Sequence, residues 1–373
     1  MLARSKERGA AHYSERSKEC GYALVEMLIA AAISGALLGV LFHFAVSVQT
    51  AVAVQGDVAD VQQRLRVAVE SVRQDLLRAG AGPARGFANG PLARTFPPIV
   101  PARLGFIGAD PELSFHADRI TLLYVPDTRA QTVLAVSMVD AAAPISIDGS
   151  APGCPPGRAC DFAVGDHAVI FEPAGPGSAY EMFSIAAVDT AWSTVTPAAP
   201  LSRTYPAGSR LALIVQRTYH FDRSGKRLMV YDGMRSDVPL VDHVVDVRFE
   251  YFGDPRSEAV PPPAAGTSNC AYAGSPPVAL LTHLGGITPK PWRDSQLTDG
   301  PVCGAAPNQF DADLLRIRRV VFTVRLETES AEFRGRGSAF SSPGFSRGGA
   351  KYVPDLQTTI EVTPRNMAAA ASW

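Results

Sequence analysis

Hydrophobic and polar positions divide the chain into three regimes. From Tyr22 to Val48 the sequence is apolar on every side, broken only by Glu26, Ser34, His43 and small residues. As a helix these 27 residues would span ~40 Å, more than the ~30 Å hydrocarbon core of a bilayer. From Val58 to Arg78 the pattern narrows to a stripe. Val58, Val61, Leu65, Ala68, Val72 and Leu76 recur at three- and four-residue spacing, with Arg, Gln, Asp and Glu assigned to the other face. Gly80 supplies a stop and Pro83 follows it. No proline interrupts Tyr22 to Gly80, so one helix of about 59 residues is predicted, able to bend at Gly35, Gly39 or Gly56.

Beyond residue 81 the period falls to two, the mark of strands with one buried face. Val241 to Tyr251 alternates cleanly, as do Val320 to Leu326 and Leu356 to Val362. Tyr219 to Tyr231 reads as a hairpin around Arg223-Ser224-Gly225, and Ile120 to Val125, Ala168 to Phe171 and Leu211 to Val215 read as further strands. Gly80 to Ala102 and Asp254 to Asp311 are rich in Gly and Pro and read as loops, the second as a surface insertion. The fold class is therefore α+β: a polar segment 1–21, a transmembrane helix 22–49, an amphipathic helix 50–80, and a β-rich head 81–373 carrying the insertion 254–311.

Charge changes this picture mainly by its placement. The total is balanced, 35 basic against 36 acidic residues, so no basic surface points to nucleic acid. Locally, Arg4, Lys6, Arg8, Arg16 and Lys18 precede the apolar run, and no base follows it before Arg64. Positive charge stays cytoplasmic, which makes this a single-pass protein with an exported body. Cysteine usage agrees. Without Cys20, an even four remain, Cys154, Cys160, Cys270 and Cys303. Sequence-local pairing, one of three connectivities, gives Cys154–Cys160 and Cys270–Cys303. No C-x-x-C pair or His at ligand spacing supports zinc instead.

Glu26 is the residue this outline does not explain. A secretory signal has an apolar core of ~7–15 residues, and this run continues well past Ala30-Ala31-Ala32 and Ser34-Gly35-Ala36. A lipoprotein signal needs its apolar segment before the cysteine, whereas Arg16-Ser17-Lys18-Glu19 precedes Cys20. A plain signal anchor accounts for the length but leaves a carboxylate in lipid, at ~2–3 kcal/mol on insertion scales.

A polar basic leader ends in Gly21, aromatic Tyr22 follows, Glu26 is fifth from the junction, and an apolar helix runs on. This combination resembles the prepilin signal of type IV pilins and type II secretion pseudopilins. The resemblance implies that residues 1–21 are a leader, that a membrane prepilin peptidase cuts after Gly21, and that the new amine of Tyr22 is methylated. Tyr22 stands where the family usually has Phe. It also implies that Glu26 neutralises the terminal ammonium of a neighbouring subunit, which makes the acid a register device for assembly. In the head, the order of "VGDHAVIF", the hairpin, "PLVDHVVDVRFEYFGD" and a last strand ending near Arg365-Asn366 resembles PilW-type minor pilins, with pseudopilin J of type II secretion sharing the layout. The implied partners are the peptidase, other minor and major pilins, the inner-membrane assembly platform and the membrane. The implied location is the inner membrane with a periplasmic head, then a pilus or pseudopilus at the cell surface. An anchored periplasmic enzyme or binding protein is the rival class.

Candidate chemistry adds little. Ser178, Ser268 and Ser338 are not in G-x-S-x-G elbows. "GRGSAFSSPG" lacks the Lys-Ser/Thr of a phosphate loop, and "DRSGK" is explained by the hairpin. The acids from Asp294 to Asp313 match no EF-hand, leaving a loop calcium site open without specifying one. The histidines are scattered. The sequence therefore implies neither an enzyme nor a cofactor.

Overall fold

The computed structural model describes residues 16–81, 97–126, 131–151, 154–172, 180–257, 260, 262, 270–284, 290–304, 309–346 and 351–369, and side chains from residue 24 onward. One helix, α1, runs unbroken from Arg16 to Arg78 through Gly35, Gly39 and Gly56. Its N-terminal half stands clear of the rest of the chain, and its C-terminal half lies on the head. Val61, Ala68, Val72 and Leu76 are fully buried there, as the stripe requires. The helix ends where Gly80 takes φ +77°, a left-handed conformation that strains other residues, and the Gly80 amide turns to the carbonyl of Leu123 at 3.0 Å.

The head contains three main antiparallel sheets. A five-stranded sheet takes Ile99–Val100, Arg119–Tyr124, Val215–Asp222, Arg227–Tyr231 and Asp237–Val241 in that spatial order. The expected hairpin is its centre, with Asp222 paired to Arg227 and the Asp222 carboxylate accepting from the amides of Ser224 and Gly225. A three-stranded sheet takes Val244–Gly253, Ile317–Leu326 and Leu356–Val362. Both sheets share one core with α1, in which Phe249 stacks on Phe322 at 4.9 Å between ring centres.

The alternating run Val241 to Tyr251 is two strands rather than one. The chain leaves the first sheet at Val241, turns at Asp242-His243 with His243 at φ +53°, and enters the second sheet at Val244. A register shift between Val244 and Asp246 makes Val244, not Val245, the fully buried residue.

Of the third sheet, the sequence pattern marks two strands, Ala168 to Phe171 and Leu211 to Val215, the second of which ends at Leu213, but not their partners or the closure. Gln131–Val133, Arg210–Leu213, His167–Phe171, Tyr180–Asp189, Thr194–Pro197 and Ile145–Ser146 lie side by side in that order. A bridge from Leu134 to Ile147 joins the last strand to the first, with Ala135 donating to Ser146 at 3.0 Å and Asp148 to Val133 at 2.9 Å. The sheet is thus a closed barrel with its own core of Leu134, Ile145, Phe162, Ile170, Phe183 and Leu211, among others. Closure removes the free edges that would template aggregation. The whole barrel is inserted between two strands that are direct neighbours, since Tyr124 pairs with Val215.

Two disulfides form, Cys154–Cys160 and Cys270–Cys303, in the sequence-local pairing. The first borders the barrel core. The second closes the segment read as a surface insertion, and here the structure corrects that reading. Ala271, Leu281, Trp292 and Leu297 are buried in the main core. Gly253 has no room for a side chain, because the Trp292 ring and the Arg316 carbonyl occupy that space. Two short ladders, Tyr272–Ala273 with Val278–Ala279 and Val302–Cys303 with Phe310–Asp311, and these buried anchors tie the segment to the core, while 273–278 and 293–295 stay exposed.

Replacing Cys270 and Cys303 together with Ser is expected to destabilise the protein by about 4 kcal/mol, the chain-entropy value for a loop of this size. Urea unfolding of the oxidised wild type against the double variant measures it.

Candidate functional site

The feature that most needs a function is the exposed half of α1. Leu24, Met27, Leu28, Ile33, Leu37, Leu41, Phe42 and Phe44 are all more than half exposed, with Met27 at 78% and Phe42 at 76%. From Met27 to Gly56 there is no Asp, Glu, Lys or Arg, a run of 30 residues and about 45 Å of helix. By length and composition this helix can cross a membrane, and none of its most apolar window is buried within the chain. Its one carboxylate, Glu26, is exposed among these apolar side chains and has no hydrogen-bond or ion-pair partner among the described residues. A charge so placed is costly in an apolar setting unless a counter-charge is near. Gly21 and Tyr22 have helical backbone, the side chain of Tyr22 lies outside the described residues, and so do residues 1–15.

The other half of α1 is fastened to the head at four levels. Asp57 accepts a hydrogen bond from the hydroxyl of Thr328. Arg64 pairs with Asp60 on the helix and with Asp242 at 3.2 Å, at the crossing between sheets. Asp75, buried, accepts from the hydroxyls of Tyr124 at 3.0 Å and Tyr219 at 2.7 Å. At the C-terminus, Asn366 donates its side-chain amide to the carbonyls of Arg78 and Ala79, both at 3.4 Å, capping groups that the helix leaves unpaired.

Asp75 corrects the sequence reading, which placed it on the polar face. Burial, and next the charge of Asp75, pushes the hydroxyls of Tyr124 and Tyr219 up from their usual range, so both remain donors. The signal was present: Asp75 is three residues after Val72, seven after Ala68 and four before Ala79, all buried positions. An acid at a stripe position implies buried donors facing it. Near the Asp57 contact, Glu327 is buried and accepts from Lys226 at 2.7 Å. Burial pushes this carboxyl up, but the bonds to Lys226 and Ser342 and the nearby Arg334 outweigh it, and the pKa falls below its ordinary value.

A cavity of about 420 Å³ lies between the barrel, the five-stranded sheet and the disulfide-closed segment, lined by Val100, Leu104, Tyr180, Ile214 and Phe310 among others. Ser114, His167 and Asp232 also line it. No hydrogen bond joins them: Asp232 accepts from the amides of Met234, Arg235 and Ser236, while Ser114 Oγ and His167 Nδ1 are buried without partners. At the edge of this cavity, which Asp311 also lines, Asp299, Asp311 and Asp313 bring carboxylate oxygens within 4.8 Å of one another. All four cysteines from Cys154 onward are in disulfides. Compared with known proteins, the chain matches no family model and no curated protein.

Asp75→Ala, which strands two buried tyrosine hydroxyls, is expected to cost about 2–3 kcal/mol in urea unfolding, and Tyr219→Phe about 1 kcal/mol. The Glu327 contribution has a definite pH sense. Its folded pKa is depressed, so the stability it adds is present above its unfolded pKa and is lost as pH falls through the folded one. Glu327→Gln should therefore flatten the acid limb of a stability–pH curve while leaving its shape above pH ~6 unchanged.

Proposed function

We propose that this chain is a type IV pilin-like assembly subunit, a PilW-type minor pilin that helps initiate a pilus or forms its tip, and that it acts without catalysis. The observation that carries the reading is an apolar helix with one carboxylate near its start, continuous with a second half fixed to a disulfide-bonded β head. Such a helix fits two successive environments. In the bilayer its apolar surface is solvated by lipid. In a filament the same surface packs on the equivalent helices of neighbours, and the head remains outside.

The electrostatics follow from the proposed processing. Prepilin peptidase would cut between Gly21 and Tyr22, leaving an ammonium at Tyr22 four residues from Glu26. Either charge alone is costly in an apolar setting, and a pair from adjacent subunits neutralises both. Breaking such a pair costs ~3–5 kcal/mol, because one buried charge is left uncompensated, so the pair fixes the axial stagger between subunits more than it adds net stability. The four attachments between α1 and the head support a subunit that is handled as one rigid piece by the inner-membrane assembly platform.

Glu26→Ala should leave cleavage intact, with mass spectrometry finding a mature chain that begins at Tyr22. The variant should remain in the membrane fraction and be missing from sheared filaments. Recovery of Glu26→Ala in filaments at the wild-type level would contradict the charge-pairing role. A mature wild-type chain that does not begin at Tyr22 would contradict the pilin reading itself.

A further inference from the structure

We propose that Asp299, Asp311 and Asp313 form a calcium site beside the Cys270–Cys303 disulfide. This does not depend on the pilin reading. Oxygens within 4.8 Å of one another can all reach one ion at calcium's 2.3–2.6 Å bond lengths with small side-chain adjustments, whereas magnesium's 2.0–2.1 Å demands a tighter cluster.

Proximity of acids alone would not justify a ligand. The independent observation is the state of Asp313. This residue is fully buried; its Oδ1 accepts from Arg316, while its Oδ2 is buried with no donor. Arg316 does not satisfy it, and the Arg316 Nε is likewise buried without a partner. The guanidinium is also fully buried, and its Nη1 donates to the carbonyls of Arg256 at 3.1 Å and Thr282 at 2.9 Å. Asp311 is held in place on both oxygens, Oδ1 by the amide of Asp313 at 2.8 Å and Oδ2 by that of Gly300 at 2.6 Å, and each oxygen keeps a free lone pair. Asp299 is exposed and has no partner among the described residues, so it opens the cluster to solvent. Three carboxylates face one guanidinium, and a divalent cation makes the group neutral. Hard carboxylate donors without nitrogen or sulfur select calcium over zinc or copper.

The site would have a mechanical role. Asp311 pairs with Val302 and Phe310 with Cys303 in a short ladder, and Asp313 begins the turn that leads into Ile317–Leu326. A bound ion would join the end of the disulfide-closed segment to the root of the strand at the centre of the three-stranded sheet.

The test uses detergent-solubilised full-length protein stripped with EDTA, titrated with calcium chloride by calorimetry and followed by thermal unfolding. Wild type is expected to bind one calcium ion and to unfold at a higher temperature when it is bound. Asp299→Asn is the informative variant, because its exposed, unpartnered side chain can change without disturbing the calcium-free fold. It should keep the calcium-free unfolding temperature and lose affinity by about tenfold or more. Asp311→Asn should do the same, but it also alters a buried turn, so the conclusion rests on Asp299→Asn. The proposal is overturned if calcium neither binds nor shifts wild-type unfolding, if Asp299→Asn binds as tightly as wild type, or if magnesium matches calcium.

Discussion

The structure depends on a helix that must satisfy two environments without a break between them. From Leu24 to Val48 it is apolar apart from Glu26, Ser34, His43 and Ser47, and no described residue of the head covers this stretch. Its second half is amphipathic and fully committed to the head. A break at Gly35, Gly39 or Gly56 would uncouple the two, yet each glycine sits in open space within continuous helix. Backbone hydrogen bonds inside the helix carry the connection through the membrane-length segment, where no side chain could. Whatever fixes the apolar half in lipid or against other helices therefore also fixes the position of the head.

The attachment of helix to head combines two kinds of contact. Val61, Ala68, Val72 and Leu76 supply nondirectional burial, which resists separation but tolerates small slips along the axis. Asp75 with its two tyrosines, Arg64 with Asp242, and Asn366 on the last carbonyls are directional and permit one register. The residues involved come from far apart in the chain: Asp75 meets partners at positions 124 and 219, and the helix end meets position 366. The end of the helix is thus completed by a residue 287 positions further along the chain.

Patterns confined to a few turns were legible in the sequence, and those set by distant contacts were not. The stripe on α1 and the alternation in Ile317–Leu326 follow from periods of 3.6 and 2. The membrane-length run and the isolated Glu26 are likewise local facts. Asp75 was misread because hydropathy counts a carboxylate as polar whether water or two tyrosine hydroxyls satisfy it. The sheet change at His243 was hidden because the bulge that follows it shifts the buried face by one residue, and alternation on paper carries straight across. Two barrel strands, His167–Phe171 and Arg210–Leu213, were marked by their apolar runs, but the closure was not, because the two strands that complete it are only two or three residues long and owe their existence to the closing ladder. The acids around Asp313 were visible as residues but not as a group, since Asp299 approaches the other two only through the ladder between Val302 and Asp311.

The place of the barrel has an architectural consequence. Its chain departs after Tyr124 and returns at Val215, and those residues face each other across a ladder, so a whole module hangs from a gap no wider than a tight turn. The attachment is narrow in the backbone but broad in packing: Val169, Phe171, Tyr180 and Ala212, all on barrel strands, are buried in the main core, and the Tyr180 ring lies 6.4 Å from that of Phe310. The barrel is therefore held by its host over an apolar face, and its orientation is set by that face and not by the two crossing points alone.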